Sequence, residues 1–333
     1  MTVRFGVLVQ AVDAPQAFVE LVRKVEDLEF DHLWVADSSL HARDAFSYLT
    51  LAASNSSTIK LGTGITHPVT RHPAVIANAL ATLQEISGGR AVLGMGAGDR
   101  PVLELGLRPA KVSALEDMVT LCRALFTGEE VTFQGTGFRT EHARLIAPPA
   151  TTVPIYIAAS GPKTLALAGR VADGIIMQVG ADPRCIAAAL DDVRAGLRKA
   201  GRDPDSLDVS TILYGELDED RERARNAARP FAAWIPQTVP RYCDLVGVPQ
   251  FDVDAVRARY QVGELMKAKD AAAAATDAMV DAFTLSGTGP ECHDRVEQIV
   301  EKTGVRHVTF FPMGEDRLAS LKRFAESVAD PLR

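Results

Sequence analysis

Eight short apolar runs, each separated from the next by helical periodicity, constrain this 333-residue chain more than any other feature. The runs are RFGVLV (4–9), HLWVA (32–36), IKLGTGI (59–65), RAVLGMGA (90–97), VPIYIAAS (153–160), DGIIMQV (173–179), LDVSTILYG (207–215) and RHVTFF (306–311). Between them, Phe18, Leu21, Val22, Val25 and Leu28 keep a helical spacing. So do Ile76, Leu80, Leu83 and Ile86, and later Leu115, Met118, Val119, Leu121 and Leu125. Apolar strands alternating with helices predict a parallel sheet covered on its faces, and eight is the number that closes a (β/α)8 TIM barrel. An open doubly wound sheet is the other solution. No GxGxxG follows the first run, where a dinucleotide fold would place it, so the barrel is preferred.

Two segments break the alternation. Residues 131–149 read as a short hairpin. Residues 230–290 form a helical insertion before the last strand, within a single domain spanning 1–333. An insertion of that length is unusual for a barrel connection. It is expected either to cover the C-terminal mouth as a lid or to serve as a dimerisation surface, and one element could do both.

Charge and cysteine usage narrow the function classes. With 36 basic and 43 acidic side chains the net charge is −7, which argues against nucleic acid or an acidic membrane surface as partner. Cys122, Cys185, Cys243 and Cys292 are scattered and form no CxxC pair. They suit reduced thiols in a cytosol, not a zinc or disulfide framework, and no metal site is expected. The N-terminal apolar run is too short for a signal peptide, and no run approaches a membrane span. A soluble, cytoplasmic protein is the expectation.

In such a barrel the chemistry lies where strands end. Strand two ends at Asp37 and Ser38, and strand three in GTGITHP, which contains Thr63, Gly64, Ile65 and Thr66. Strand four ends in GMGAGDRP with Asp99, and strand six near Gln178. Asp37 and Asp99 fit helix caps as well as site residues. Gly62 and Gly64 mark a strand whose backbone something approaches closely. Strand five runs through Ala159 into Ser160-Gly161-Pro162, a junction whose backbone N–H groups and serine hydroxyl suit a phosphate. Lys163 adds charge there or is a solvated first-turn lysine.

Four blocks in order, KLGTGITHPVTRHP, ATLQEISGGRAVLGMGAGD, IYIAASGPKTLALAGRVADGII and DAFTLSGTGPE, resemble the luciferase-like flavin and deazaflavin oxidoreductases. Within that superfamily the chain is most similar to the F420-dependent methylenetetrahydromethanopterin reductase-like proteins. The resemblance implies a non-prolyl cis peptide at Gly64–Ile65 that bulges against the central ring of the cofactor. It places Asp37 near the pyrimidine end of that ring and Asp99 beside the reacting atoms as a proton donor. Ser160, Gly161 and Pro162 match the turn that holds the cofactor phosphate. His67 and His72 are read as packing or capping groups. Two positions depart from the family: Ser38 stands where several members carry histidine, and Leu8 where the methanopterin reductases carry glutamate. Gln10 and Gln178 are the polar groups offered instead.

The expected function is therefore hydride transfer between the deazaflavin F420 and a small organic substrate, an imine, activated alkene or carbonyl. Three alternatives stay open: an FMN-dependent monooxygenase served by a separate cofactor reductase, a non-redox phosphate-binding barrel, and a cofactor-binding protein without catalysis. A homodimer is expected.

Overall fold

The computed structural model describes residues 2–259 and 268–333. The eight runs become β1 (Arg4–Gln10), β2 (His32–Ala36), β3 (Lys60–Thr63) and β4 (Ala91–Met95), then, after the hairpin β5 (Val131–Gln134) and β6 (Arg139–Ala143), β7 (Ile155–Ala159) and β8 (Gly174–Met177). β9 (Asp208–Leu217), β10 (Leu285–Gly287) and β11 (His307–Pro312) follow. Parallel pairing runs β11-β1-β2-β3-β4-β7-β8-β9 and returns from β9 to β11, so the sheet closes as a (β/α)8 barrel. The observed strands are shorter than several of the apolar runs. β3 stops at Thr63, and the chain pairs with β4 again only through a bridge at Thr66.

The hairpin falls where the sequence put it. The long insertion is helical, and its bounds differ from expectation. Helix Arg221–Ala232 crosses its predicted start and carries Pro230 inside it. Its end holds β10, three residues that pair with Gly215, Glu216 and Leu217 beyond the barrel wall. A three-residue strand is too short to show as a periodic run. Residues 260–267 of the insertion lie outside the described residues. Among the described residues no helix is long and apolar enough to cross a membrane.

Alternation along each strand divides the apolar residues into two cores. Val7, Leu33, Leu61, Leu93, Ile155 and Ile175 face the surrounding helices. Leu8, Trp34, Val92, Tyr156, Ile176 and Ile212 fill the barrel itself. Trp34 is almost fully buried there, and glycines make its room: a Cβ on Gly62 would lie 2.4 Å from Trp34 Cζ3. Likewise a Cβ on Gly174 would lie 2.2 Å from Tyr156 Cε1. The group that approaches strand three at Gly62 is thus the protein's own indole. Gly62→Ala is expected to destabilise by about 2 kcal/mol, the usual cost of overpacking a core. A lowered urea midpoint with unchanged m-value checks it.

At the other end of the barrel, four strands meet on one carboxylate. Tyr156 donates to Asp208 Oδ2 at 2.6 Å, His307 Nδ1–H donates to the same oxygen at 3.1 Å, and Arg4 pairs with Oδ1. The active end is built on this closed base.

Candidate active site

A cleft of about 390 Å³ opens at the C-terminal ends of the barrel strands. Asp37, Ser38, Gly64 and Ile65 line one side of the predicted set, and Asp99, Ala159, Ser160 and Gln178 complete it. Five predicted residues do not line it. Thr63 is fully buried, and its hydroxyl donates to Gly94 O at 2.6 Å, tying β3 to β4. Thr66 is equally buried and turns toward Asp37. Gly161, Pro162 and Lys163 sit at the rim, Lys163 exposed to solvent.

Asp37 is buried at the end of β2. Its Oδ2 accepts from Thr66 Oγ1 at 2.7 Å and pairs with Arg71. Arg71 also reaches Asp44 at 2.6 Å and lies over the Phe46 ring. Asp44, not Asp37, caps the following helix by accepting from Ser47 N. Asp37 is therefore not consumed by a cap. Its Oδ1 takes no hydrogen bond from any described residue, which leaves an acceptor for a ligand N–H.

The Gly64–Ile65 peptide is cis. Gly64 N donates to Val35 O at 2.8 Å, and a Cβ on Gly64 would lie 2.4 Å from Leu8 Cδ1. Glycine is needed here because Leu8 and Trp34 pack beneath it. Ile65 lines the cleft above.

Asp99 occupies the N-cap position of the short helix Arg100–Glu104 without making a capping bond. Its surface is open to the cleft, yet protein crowds the carboxyl on its other sides. The resulting loss of hydration raises its pKa, against the opposing pull of Arg100 and His67. A ligand covering the cleft removes more water and strengthens the shift.

Ser160 leads into helix Pro162–Val171, whose N-cap Gly161 supplies no side-chain hydrogen bond. The first N–H groups of that helix are thus free for an acceptor. A Cβ on Gly161 would meet nothing within 4 Å, and its φ of −89° and ψ of 153° suit any residue. The fold does not require glycine here, and the open space in front of the helix fits a phosphate.

Three features escaped the sequence reading. Arg71 orients Asp37 through a loop 34 residues away. His67 is buried and lines the cleft, where a packing or capping role was expected. His72, by contrast, does cap: its Nδ1 accepts from Ala74 N at 3.1 Å. An aromatic wall joins Phe311, Tyr214, Phe231 and Trp234 in successive stacks, with Tyr214–Phe231 centroids 3.7 Å apart. Of these, Tyr214, Trp234 and Phe311 face the cleft. Only the TRHP run gave any signal, a cation and an imidazole in a loop leaving a strand end.

A closed barrel with this cleft defines a (β/α)8 enzyme-like scaffold whose polar groups gather at the strand ends. Residues 2–307 match the family described as luciferase-like monooxygenase, and the chain belongs to that family. It is 35% identical over 94% of its length, and 94% of the relative's, to 5,10-methylenetetrahydromethanopterin reductase of Archaeoglobus fulgidus. It is 37% identical to F420-dependent glucose-6-phosphate dehydrogenase of Nakamurella multipartita over 69% of this chain and 73% of that one. The solved structure of coenzyme F420 dependent tetrahydromethanopterin reductase from Methanopyrus kandleri superposes with a TM-score of 0.88 at 27% identity, covering 100% of both chains.

Proposed function

We propose that this protein is an F420-dependent oxidoreductase that moves a hydride between the deazaflavin and a small imine, activated alkene or carbonyl substrate. The observation that carries the reading is the uncapped helix start at Gly161, with open space before it, on the same cleft as Asp37, the cis Gly64–Ile65 peptide and Asp99. F420 is named because the relatives that match most of the chain are described as F420 enzymes or as reductases of the same group.

Bound there, F420 supplies a hydride and reacts only slowly with oxygen. The chain's own residues do the rest. Ser160 and the N–H groups of Lys163 and Thr164 hold the phosphate, aided by the helix dipole. Asp37, oriented by Arg71 and Thr66, would accept from the polar edge of the ring. The Gly64–Ile65 segment, which lines the cleft, would form the back wall of the cofactor site. Asp99 delivers the proton that a hydride addition to carbonyl or imine requires. Gln10 and Gln178, both on the cleft, are the remaining polar contacts, and the aromatic wall excludes water from the substrate side.

The insertion acts as a cover in this reading. Tyr242 donates its hydroxyl to Ser160 O at 2.9 Å, and Trp234 reaches the cleft, so the insertion is tied to the phosphate turn itself.

Titration of the purified protein with F420 and with FMN tests the assignment. Tighter binding of F420 is expected. Gly161→Val should weaken F420 binding about tenfold or more, while stability stays within about 0.5 kcal/mol because its side chain enters open space. Selective FMN binding with oxygen-dependent turnover would overturn the hydride-transfer reading. Unchanged F420 affinity in the variant would return the Ser160-Gly161-Pro162 turn to an ordinary connection.

A further inference from the structure

We propose that the Tyr214 hydroxyl donates a hydrogen bond to the substrate's reacting carbonyl oxygen or imine nitrogen, from the cleft wall opposite strand three. This rests on the hydride-transfer reading of the cleft and adds a catalytic residue to it.

The unpaired hydroxyl carries the argument. Tyr48 donates to Asp13 O at 2.7 Å, Tyr156 to Asp208 Oδ2 at 2.6 Å and Tyr242 to Ser160 O at 2.9 Å. Tyr214 is the one tyrosine among the described residues whose hydroxyl bonds to no described residue, and it lines the cleft. A phenol drawn into a protein normally finds a partner for its oxygen. Here the partner's place is left to a group that enters the cleft.

The ring is fixed before any ligand arrives. Alternation along β9 puts Ile212 in the barrel interior and Tyr214 on the same face, two residues nearer the mouth. Phe231 stacks on the Tyr214 ring at 3.7 Å and 8°, and Phe311 at 4.7 Å and 27°. The two phenylalanines make no ring contact with each other, so they cover opposite faces of it. Only the edge of Tyr214 is left for the cleft, and its polar end is the hydroxyl. A donor held in place in advance costs no reorganisation when charge develops on the substrate. Burial of the phenol raises its pKa and the Asp99 carboxylate adds to the shift, so the hydroxyl keeps its proton.

Barrel order supplies the direction. From β3 the wall runs β4, β7, β8, β9 one way and β2, β1, β11, β9 the other. Tyr214 on β9 therefore stands across the mouth from strand three, which leads into Gly64 and Ile65 on the cleft. A flat cofactor ring against Ile65 turns its free face toward Tyr214, and a substrate stacked on that face lies between the two. Asp99 follows β4, the neighbour of β3, and meets the same substrate from the side. A hydride from the reduced deazaflavin adds to the carbonyl or imine carbon, and the π electron pair moves to oxygen or nitrogen. The Asp99 O–H bond breaks as the new O–H or N–H bond forms. Tyr214 keeps its own proton throughout and stabilises the charge that builds on the heteroatom.

Tyr214→Phe tests this, because it removes the hydroxyl and keeps the ring in its stack. In the whole chain the urea midpoint and F420 affinity should match the native values, since the lost group has no protein partner. A lowered midpoint would mark a structural bond and overturn the proposal. Turnover is then followed with saturating reduced F420 and three probes: benzaldehyde, cyclohexenone and pyrroline. With whichever the native protein reduces, Tyr214→Phe should lower kcat about tenfold or more and leave KM within about threefold. Tyr214→Leu, which also removes the ring, should lower the urea midpoint as well as kcat. Equal kcat in Tyr214→Phe and native protein overturns the donor role and leaves hydride transfer standing. Native protein that binds F420 yet reduces none of the probes overturns the substrate class and this donor with it. Native protein that fails to bind F420 overturns the cofactor reading on which the donor rests.

Discussion

Asp99→Asn is expected to slow substrate reduction by about 10²–10⁴-fold, the usual worth of a positioned general acid. F420 affinity should stay within about tenfold, or about 1.4 kcal/mol. Asparagine keeps the size and polarity of the side chain, which makes no capping bond that the exchange could break. What it removes is the proton. Hydride addition to a carbonyl or imine leaves an anion on oxygen or nitrogen, and Asp99 is the acid on the cleft whose pKa the protein raises. The native rate should decline as pH rises through that raised pKa, since only the protonated acid can donate. The variant should lose this limb. Single-turnover rates across pH, measured with cofactor saturated, separate the two effects. Equal rates in both proteins would remove Asp99 from the chemistry and leave the cofactor cleft standing.

The barrel was legible because its signal is local. Each strand is an apolar run of a few residues, and each helix declares its own period. The cis peptide and the open turn before helix Pro162–Val171 were legible for a different reason: they lie within single blocks, GTGITHP and IAASGPKT, whose order matched a known family. What lay hidden depends on contacts between segments far apart in the chain. Gly62 reads as a place for a ligand until β2 puts Trp34 against it. Thr63 and Thr66 share the cleft's loop, yet pairing with β4 and with Asp37 turns both hydroxyls inward. Arg71 and His67 occur in a run dominated by two His-Pro pairs, and only the closed barrel shows that one holds Asp37 while the other lines the cleft. The aromatic wall joins β9, β11 and the insertion, and no window of sequence contains it. Single-residue roles at a barrel mouth follow from closure, and closure is a property of the whole chain.

The second large effect belongs to the closed base. Asp208→Ala should destabilise the protein by about 3 kcal/mol without entering the cleft. Asp208 is largely buried, and burial alone would raise its pKa; hydrogen bonds from His307, Tyr156 and Arg4 overcome this and hold the carboxyl well below the usual range. Removing it leaves the phenol of Tyr156 and the buried His307 ring without their acceptor. Each such group costs about 1–3 kcal/mol when unpaired. Arg4 is more than a third exposed, so its lost ion pair adds little. Asp208→Asn should cost less, because its amide oxygen can still accept from Tyr156. The pH dependence follows from the depressed pKa. The stabilisation is complete above about pH 4, the ordinary aspartate range, and is lost as pH falls toward the lower native value. The gap between native protein and variant should therefore narrow on acidification. Urea unfolding at neutral and acidic pH measures it, with F420 affinity at neutral pH as the control. A gap that stays constant or widens in acid would show that Asp208 does not anchor the base through its charge, since Tyr156 and His307 would then be held by packing around Trp34 alone.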